Sequence, residues 1–251
     1  MTEIVERRRL GKGKDLSTIM ISTREYYGAF SDRYAEFYDD WLSGEGPFSD
    51  PEYKMGYDRV SEILTGLVDD GQIIIDIGCG VGPWSMLMAK RGANVIGLDQ
   101  SFEAISTFRK RSKEVNANNN TSGIIGDGFY NPFKNGVFNG STLNWVLAHI
   151  PIEKNREFMN GIGRVLKGGA WLMVSNSFWR EQKGGKEQTQ IRKTNKGNFE
   201  VYKYYYAPEE LQNLLKGTIG KVEHIETTRY EMLCVARKSE REQASQVTIT
   251  P

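Results

Sequence analysis

Three aspartates and three glycines hold the chemistry that is easiest to read in this chain. Asp76 stands two residues ahead of Gly78-Cys79-Gly80-Val81-Gly82, Asp99 closes the run Asn94-Val95-Ile96-Gly97-Leu98, and Asp127 closes Gly123-Ile124-Ile125-Gly126. Glycines at alternate positions after an apolar run suit a turn with positive φ, and a ligand can lie against its bare backbone. A dinucleotide fingerprint spaces its glycines as G-x-G-x-x-G and rests a pyrophosphate on the helix that follows. A carboxylate at Asp76 would repel that phosphate and favour a cationic group instead, an ammonium or a sulfonium. Plainer roles exist: Asp76 could cap a helix, and Asp99 and Asp127 could be turn residues. Three acids at the ends of three successive extended runs fit a ligand edge better, because ligands of open α/β sheets bind there.

The elements that must position these residues follow from periodicity. Ile73 to Ile77 is an unbroken β-branched run, the mark of a strand buried on both faces. Pro83 suits the first turn of the next helix, where its missing N–H costs nothing. Further strands are predicted at 94–99, 123–127, 137–145 and 171–175, with helices between them. Ser101 caps one of these helices, with Glu103 in its first turn. Residues 189–193 and 199–205 read as the arms of a hairpin around Asn195-Lys196-Gly197-Asn198. Two last runs, 222–228 and 230–237, would pair as an antiparallel edge. The alternation predicts an α/β fold: one Rossmann-like, doubly wound sheet of seven strands, mostly parallel with an antiparallel last strand, helices on both faces.

Ahead of this core, Tyr26, Tyr27, Phe30, Tyr34, Phe37, Tyr38 and Trp41 recur at steps of three and four, the period of one helix face. They could pack on the core or form a lid, since a phenol offers both a flat face and a hydroxyl. The expected organisation is a mobile arm over 1–20, an aromatic helix or lid over 21–56, the main domain over 57–238 with a hairpin-like insertion at 178–206, and a mobile tail over 239–251.

Here the chain resembles the class I S-adenosylmethionine-dependent methyltransferases, over roughly residues 57–175. Asp76, Gly78, Cys79, Gly80 and Gly82 resemble the family's first motif, whose backbone and acid hold the methionine part of the cofactor. Asp99, followed by Gln100, resembles the acid that accepts from the ribose hydroxyls, as a carboxylate can. Asp127-Gly128-Phe129 resembles the adenine-contacting segment, and the stretch ending in Asn144 the fourth-strand motif. Two departures are visible: no proline precedes Gly168-Gly169, and Asn139 stands where an aspartate is common. The resemblance implies S-adenosyl-L-methionine as cofactor and no metal. It also places His149, just after the fourth strand, near the methyl donor, as a candidate general base; a structural role for that imidazole is the alternative. His224, in a late strand, reads as a surface residue.

The acceptor should be bound by what lies outside the common core. Tyr26, Tyr34 and Tyr38 are candidate substrate contacts, and they suggest a small, partly apolar metabolite. The insertion carries Arg180, Lys183, Lys186, Arg192, Lys193, Lys196 and Lys203 against Glu181, Glu187 and Glu200. That balance could welcome an anionic small molecule or an RNA backbone, or could belong to a solvated hairpin. An RNA methyltransferase is therefore one alternative, and a nicotinamide-dependent oxidoreductase with Asp99 on the cofactor ribose another. With 33 basic and 32 acidic residues among 251, the net charge of +1 gives no global reason for a nucleic-acid or membrane partner. Two cysteines argue against a disulfide framework and fit a reducing cytoplasm. No apolar run reaches membrane-spanning length, and a monomer or homodimer is expected.

Overall fold

The computed structural model of the chain describes residues 4–9, 16–43, 51–179 and 185–240. In chain order the elements are β1 (Ile4–Arg9), α1 (Leu16–Ala29), α2 (Ser31–Ser43), α3 (Pro51–Leu67), β2 (Ile73–Ile77), α4 (Pro83–Ala89), β3 (Asn94–Asp99) and α5 (Phe102–Glu114). There follow β4 (Thr121–Ile125), β5 (Phe138–Asn144), α6 (Asn155–Val165), β6 (Leu166–Ser177), β7 (Glu187–Thr194), β8 (Gly197–Tyr204), α7 (Pro208–Thr218), β9 (Gly220–Thr227) and β10 (Glu231–Lys238).

The seven-stranded sheet has the order β4-β3-β2-β5-β6-β10-β9. The pairs from β4 to β6 are parallel, and β10 runs antiparallel to both its neighbours. The isoleucines of β2 explain its central place, because Ile74, Ile75 and Ile77 are all buried. On one face Ile75, Leu143 and Val174 pack under Phe158 and Ile162 of α6 and Leu211 and Leu215 of α7. On the other, Ile74, Val95 and Trp171 meet Val60 and Leu64 of α3 and Met88 of α4. Two apolar layers thus hold the sheet between helices, each fully buried Ile or Leu contributing about 1.5–3 kcal/mol.

The aromatic run is not one helix. It is two, α1 and α2, which break at Phe30 where Ser31 and Asp32 supply the polar residues of a new first turn. In sequence the run is followed by the turn residues Gly44-Glu45-Gly46-Pro47, which lie outside the described residues. Nor are residues 1–20 simply a mobile arm. Ile4–Arg9 is a strand paired antiparallel with β7, and α1 begins at Leu16. The pairing partner lies some 180 residues away in sequence, so three consecutive arginines gave no local sign of a strand. The insertion does form the expected hairpin, β7 with β8, and β1 completes it as a second sheet of order β1-β7-β8. Arg180, Glu181 and Lys183, like most of the tail, lie outside the described residues.

Candidate cofactor and acceptor site

At the carboxyl end of β2 the chain turns through Gly78, Gly80 and Gly82, with φ of 66°, 53° and 81°. The three glycines serve different ends. A methyl group on Gly78 would run into Val146, and one on Gly82 into Phe108, so these two allow close packing. A methyl group on Gly80 would meet nothing within 4 Å, and Gly80 lines a cavity of about 530 Å³. That volume lies within the range of small-molecule sites.

Asp99 ends β3 beside this turn. Its Oδ2 accepts from the Gly80 N–H at 2.9 Å and its Oδ1 from the Ser101 N–H at 2.9 Å. The carboxylate is thereby held at the cavity wall with lone pairs left for further donors. Burial raises its pKa, against the opposing pull of these backbone donors. Asp76 is placed differently from the expectation that it faces the ligand. It is buried beneath the turn, where its Oδ2 accepts from the Ser85 hydroxyl at 2.6 Å, and it does not line the cavity. Burial pushes its pKa up to about 7, partly offset by Ser85. Asp76 supports the turn from inside.

The remaining candidates divide in the same way. Cys79, Gln100, Gly128, Asn144 and His149 line the cavity, as do Tyr34 and Tyr38. Asn144 is locked there, its Nδ2 donating to Thr142 Oγ1 at 2.8 Å and its Oδ1 accepting from the Ser175 hydroxyl at 2.7 Å. Asp127, Phe129 and Tyr26 do not line it. The Asp127 carboxylate accepts from the Phe129 N–H at 2.9 Å, Phe129 packs edge-on against Phe158, and Tyr26 is buried behind the wall.

His149 is buried and pinned at both nitrogens. Nδ1 lies 2.7 Å from the Tyr202 carbonyl, which can only accept, so Nδ1 carries the proton. Nε2 lies 2.8 Å from the Tyr27 hydroxyl and accepts from it. Burial first, then the positive charge of Lys203, push the imidazole well below its usual pKa, so it is neutral.

Several wall residues escaped the sequence reading. Tyr57 and Trp145 stack at 4.7 Å, and Trp84 lies against both, at 6.1 and 5.8 Å. Trp145 adopts φ 58° at the end of β5, rare for a bulky residue, and its Nε1 donates to Glu231 at 2.7 Å. The signal for Trp84 and Trp145 was their position at strand and helix ends; nothing local pointed to Tyr57. Gln190 of β7 and Tyr205, just past β8, also line the cavity.

The residues present fit S-adenosylmethionine. Gly80 offers a backbone cradle open to the cavity, Asp99 offers acceptors for a diol, and the indole N–H of Trp84 is buried in the wall with no hydrogen-bond partner among the described residues. Among those residues no group of His, Cys, Asp and Glu is arranged for a metal, and no helix is long and apolar enough to cross a membrane.

Comparison with known proteins agrees with this geometry. Residues 74–169 match the family described as "Methyltransferase domain". The chain is 26% identical to the ubiquinone biosynthesis O-methyltransferase of Erwinia tasmaniensis over 201 residues, 77% of this chain and 79% of that one. It is 31% identical to the magnesium-protoporphyrin O-methyltransferase of Synechocystis over 103 residues, covering 39% and 44%. The crystal structure of the Synechocystis magnesium protoporphyrin IX methyltransferase with bound S-adenosylmethionine shares the fold, with a TM-score of 0.67 at 19% identity over 92% of this chain and 100% of that one. The matched domain, the sheet order and the glycine turn together make this chain similar to the class I S-adenosylmethionine-dependent methyltransferases.

Proposed function

We propose that this methyltransferase acts on a small, partly apolar metabolite enclosed between the glycine corner and the hairpin sheet. The observation that carries this reading is one continuous cavity. The same wall includes Gly80 and Asp99 on one side and Tyr27, Tyr34, Tyr38 and Tyr57 on the other. An acceptor seated against these aromatics would stand beside the place where the first motif holds the cofactor.

S-adenosylmethionine, when bound, supplies an activated methyl group, so the protein chiefly aligns the acceptor and excludes water. Aromatic faces at Tyr57, Trp84 and Trp145 suit a flat acceptor, worth about 0.5–1.5 kcal/mol per ring pair beyond area burial. Tyr27 and His149 suit an acceptor that arrives protonated. The Tyr27 hydroxyl donates to Nε2, so a proton leaving the acceptor for the Tyr27 oxygen can be matched by one passed to His149. Imidazole protonation is opposed by burial first and by Lys203 second, which makes this pair a weak base and favours an acceptor of low pKa.

The hairpin's cations weigh against an RNA substrate. Lys193 is paired with Glu6, Lys196 with the Ala29 carbonyl and Lys186 with Glu210, which leaves no outward basic track built from these three. The test uses methyl-labelled cofactor with low-molecular-weight metabolite pools and, separately, total RNA. Label is expected in the metabolite pool, and transfer to RNA alone would refute the reading. Tyr27→Phe and His149→Asn should each lower kcat on the acceptor found, more at low pH than at high, while unchanged pH profiles would remove the pair from the reaction.

A further inference from the structure

Helix α5 carries both the glycine corner and the helices that face it across the cavity. Its cap residue Ser101 donates its N–H to Asp99, and its Phe108 fills the space that Gly82 leaves. Its Arg111 reaches the turn itself: Nη1 donates to the Val81 carbonyl at 3.2 Å, between two glycines whose φ angles are 53° and 81°. Helices α1 and α2 lie against the same α5. A methyl group on Gly28 of α1 would stand 2.9 Å from Ser101 Oγ, so α1 seats directly on the cap. Asp39 of α2 accepts from Arg111 Nη2. Tyr34 and Tyr38 of α2 line the same cavity as Gly80 and Val81.

We propose that Arg111 is a positioning residue that couples cofactor binding at the glycine turn to the placement of α2, the helix that presents Tyr34 and Tyr38 to the cavity. The inference rests on the cofactor occupying the glycine corner and is independent of what the acceptor is. A guanidinium carries donors on separate nitrogens of a rigid fork, so one side chain holds two acceptors at a set spacing. Here one acceptor belongs to the turn and the other to α2. The Arg111 side chain is 6% exposed and that of Asp39 61%. The arginine head is thus cut off from water, and Asp39 supplies the opposite charge; separating such a pair is costly for the buried partner. Asp39 does not itself line the cavity, so a change there reaches the cofactor through Arg111. Linkage makes the effect reciprocal. A turn ordered by the cofactor holds Arg111 in place for Asp39, and α2 docked on Arg111 holds the Val81 carbonyl in place for the cofactor.

Calorimetry with S-adenosylhomocysteine on the whole chain tests the coupling. Asp39→Ala is expected to raise the Kd roughly three- to thirtyfold, and Arg111→Met by at least as much, since it also frees the Val81 carbonyl. The double variant should bind no more weakly than Arg111→Met alone, because both changes cut one connection. Hydrogen exchange supplies a second readout. At saturation, S-adenosylhomocysteine should slow exchange in both 78–82 and 31–43 of the parent, but only in 78–82 of Asp39→Ala. Asp39→Ala removes an exposed side chain without opening the core, and it carries the test by itself should Arg111→Met not fold. Parental affinity in Asp39→Ala overturns the inference, as do single effects that multiply in the double variant. So does protection of 31–43 that survives in Asp39→Ala, which would mean that the ligand orders α2 by direct contact. If 78–82 is not protected in the parent, the cofactor seat falls and this inference with it. Protection of 78–82 without 31–43 in the parent overturns this inference alone.

Discussion

The assignment of Asp99 can be tested by a near-isosteric change, Asp99→Asn. In the structure its carboxylate accepts from the N–H groups of Gly80 and Ser101, each at 2.9 Å, and stands at the cavity wall. An amide keeps one oxygen and can satisfy only one of those two donors. It also offers a ribose diol one neutral acceptor in place of two charged ones. Hydrogen bonds to a charged group contribute about 1.5–3 kcal/mol each, so losing one outright and weakening another costs about 3 kcal/mol of binding. That corresponds to roughly a hundredfold rise in the Kd for S-adenosylhomocysteine. Calorimetry measures this directly, and thermal unfolding provides a second readout. At a ligand concentration of about 100 times the parent Kd, the parent gains about 2.7 kcal/mol by mass action, and a variant weakened a hundredfold gains about 0.4 kcal/mol. For a domain of this size the parent's Tm should rise by about 5–10 °C and the variant's by about 1–2 °C. A variant that binds within threefold of the parent would show that Asp99 merely supports the turn, and the ribose role would fall.

Two further outcomes follow from the same corner. The pKa of Asp76 is raised from 3.8 to about 7, so between those values the folded protein keeps a proton that the unfolded chain releases, and stability falls as pH rises through that window. The slope is at most about 1.4 kcal/mol per pH unit for this group, with Asp99 acting in the same direction, and Asp76→Asn should flatten the loss measured by urea unfolding at pH 5 and pH 7; an identical loss in both proteins would refute the assignment. Gly80→Val should leave the fold intact at a cost of about 1–2 kcal/mol, because φ is 53° there, while cofactor binding disappears as the side chain enters the cavity. Retained affinity would show that the ligand does not pass over this residue.

Most of the main sheet was legible because its signals are local. The isoleucines of β2, the glycines after them and the acids closing β2 and β3 all lie within a few residues of the structure they dictate. The same holds for the hairpin arms around residues 195–198, and for Ser101, whose hydroxyl accepts from the Ala104 N–H at 3.0 Å as a helix cap. Where the sequence reading missed, the deciding contact was distant. Strand β1 exists because β7 lies beside it. Tyr57 joins the wall because α3 packs α4 and the end of β5 against one another, which brings Trp84 and Trp145 to its ring.

The sequence by itself determined the kind of sheet, the glycine turn and the acid at Asp99, since short-range patterns of size, branching and charge are enough to specify strands and turns. Only the tertiary structure decided which of the predicted residues face the cavity. It turned Asp76 inward to Ser85, set Asp127 back from the wall, and pinned His149 between Tyr27 and Tyr202. It also divided the basic residues of the insertion, sending Lys193 to Glu6 on one face and Arg192 and Lys203 into the cavity on the other. Composition counts such charges alike; the pleat of a sheet and the register of its partners assign them to opposite sides.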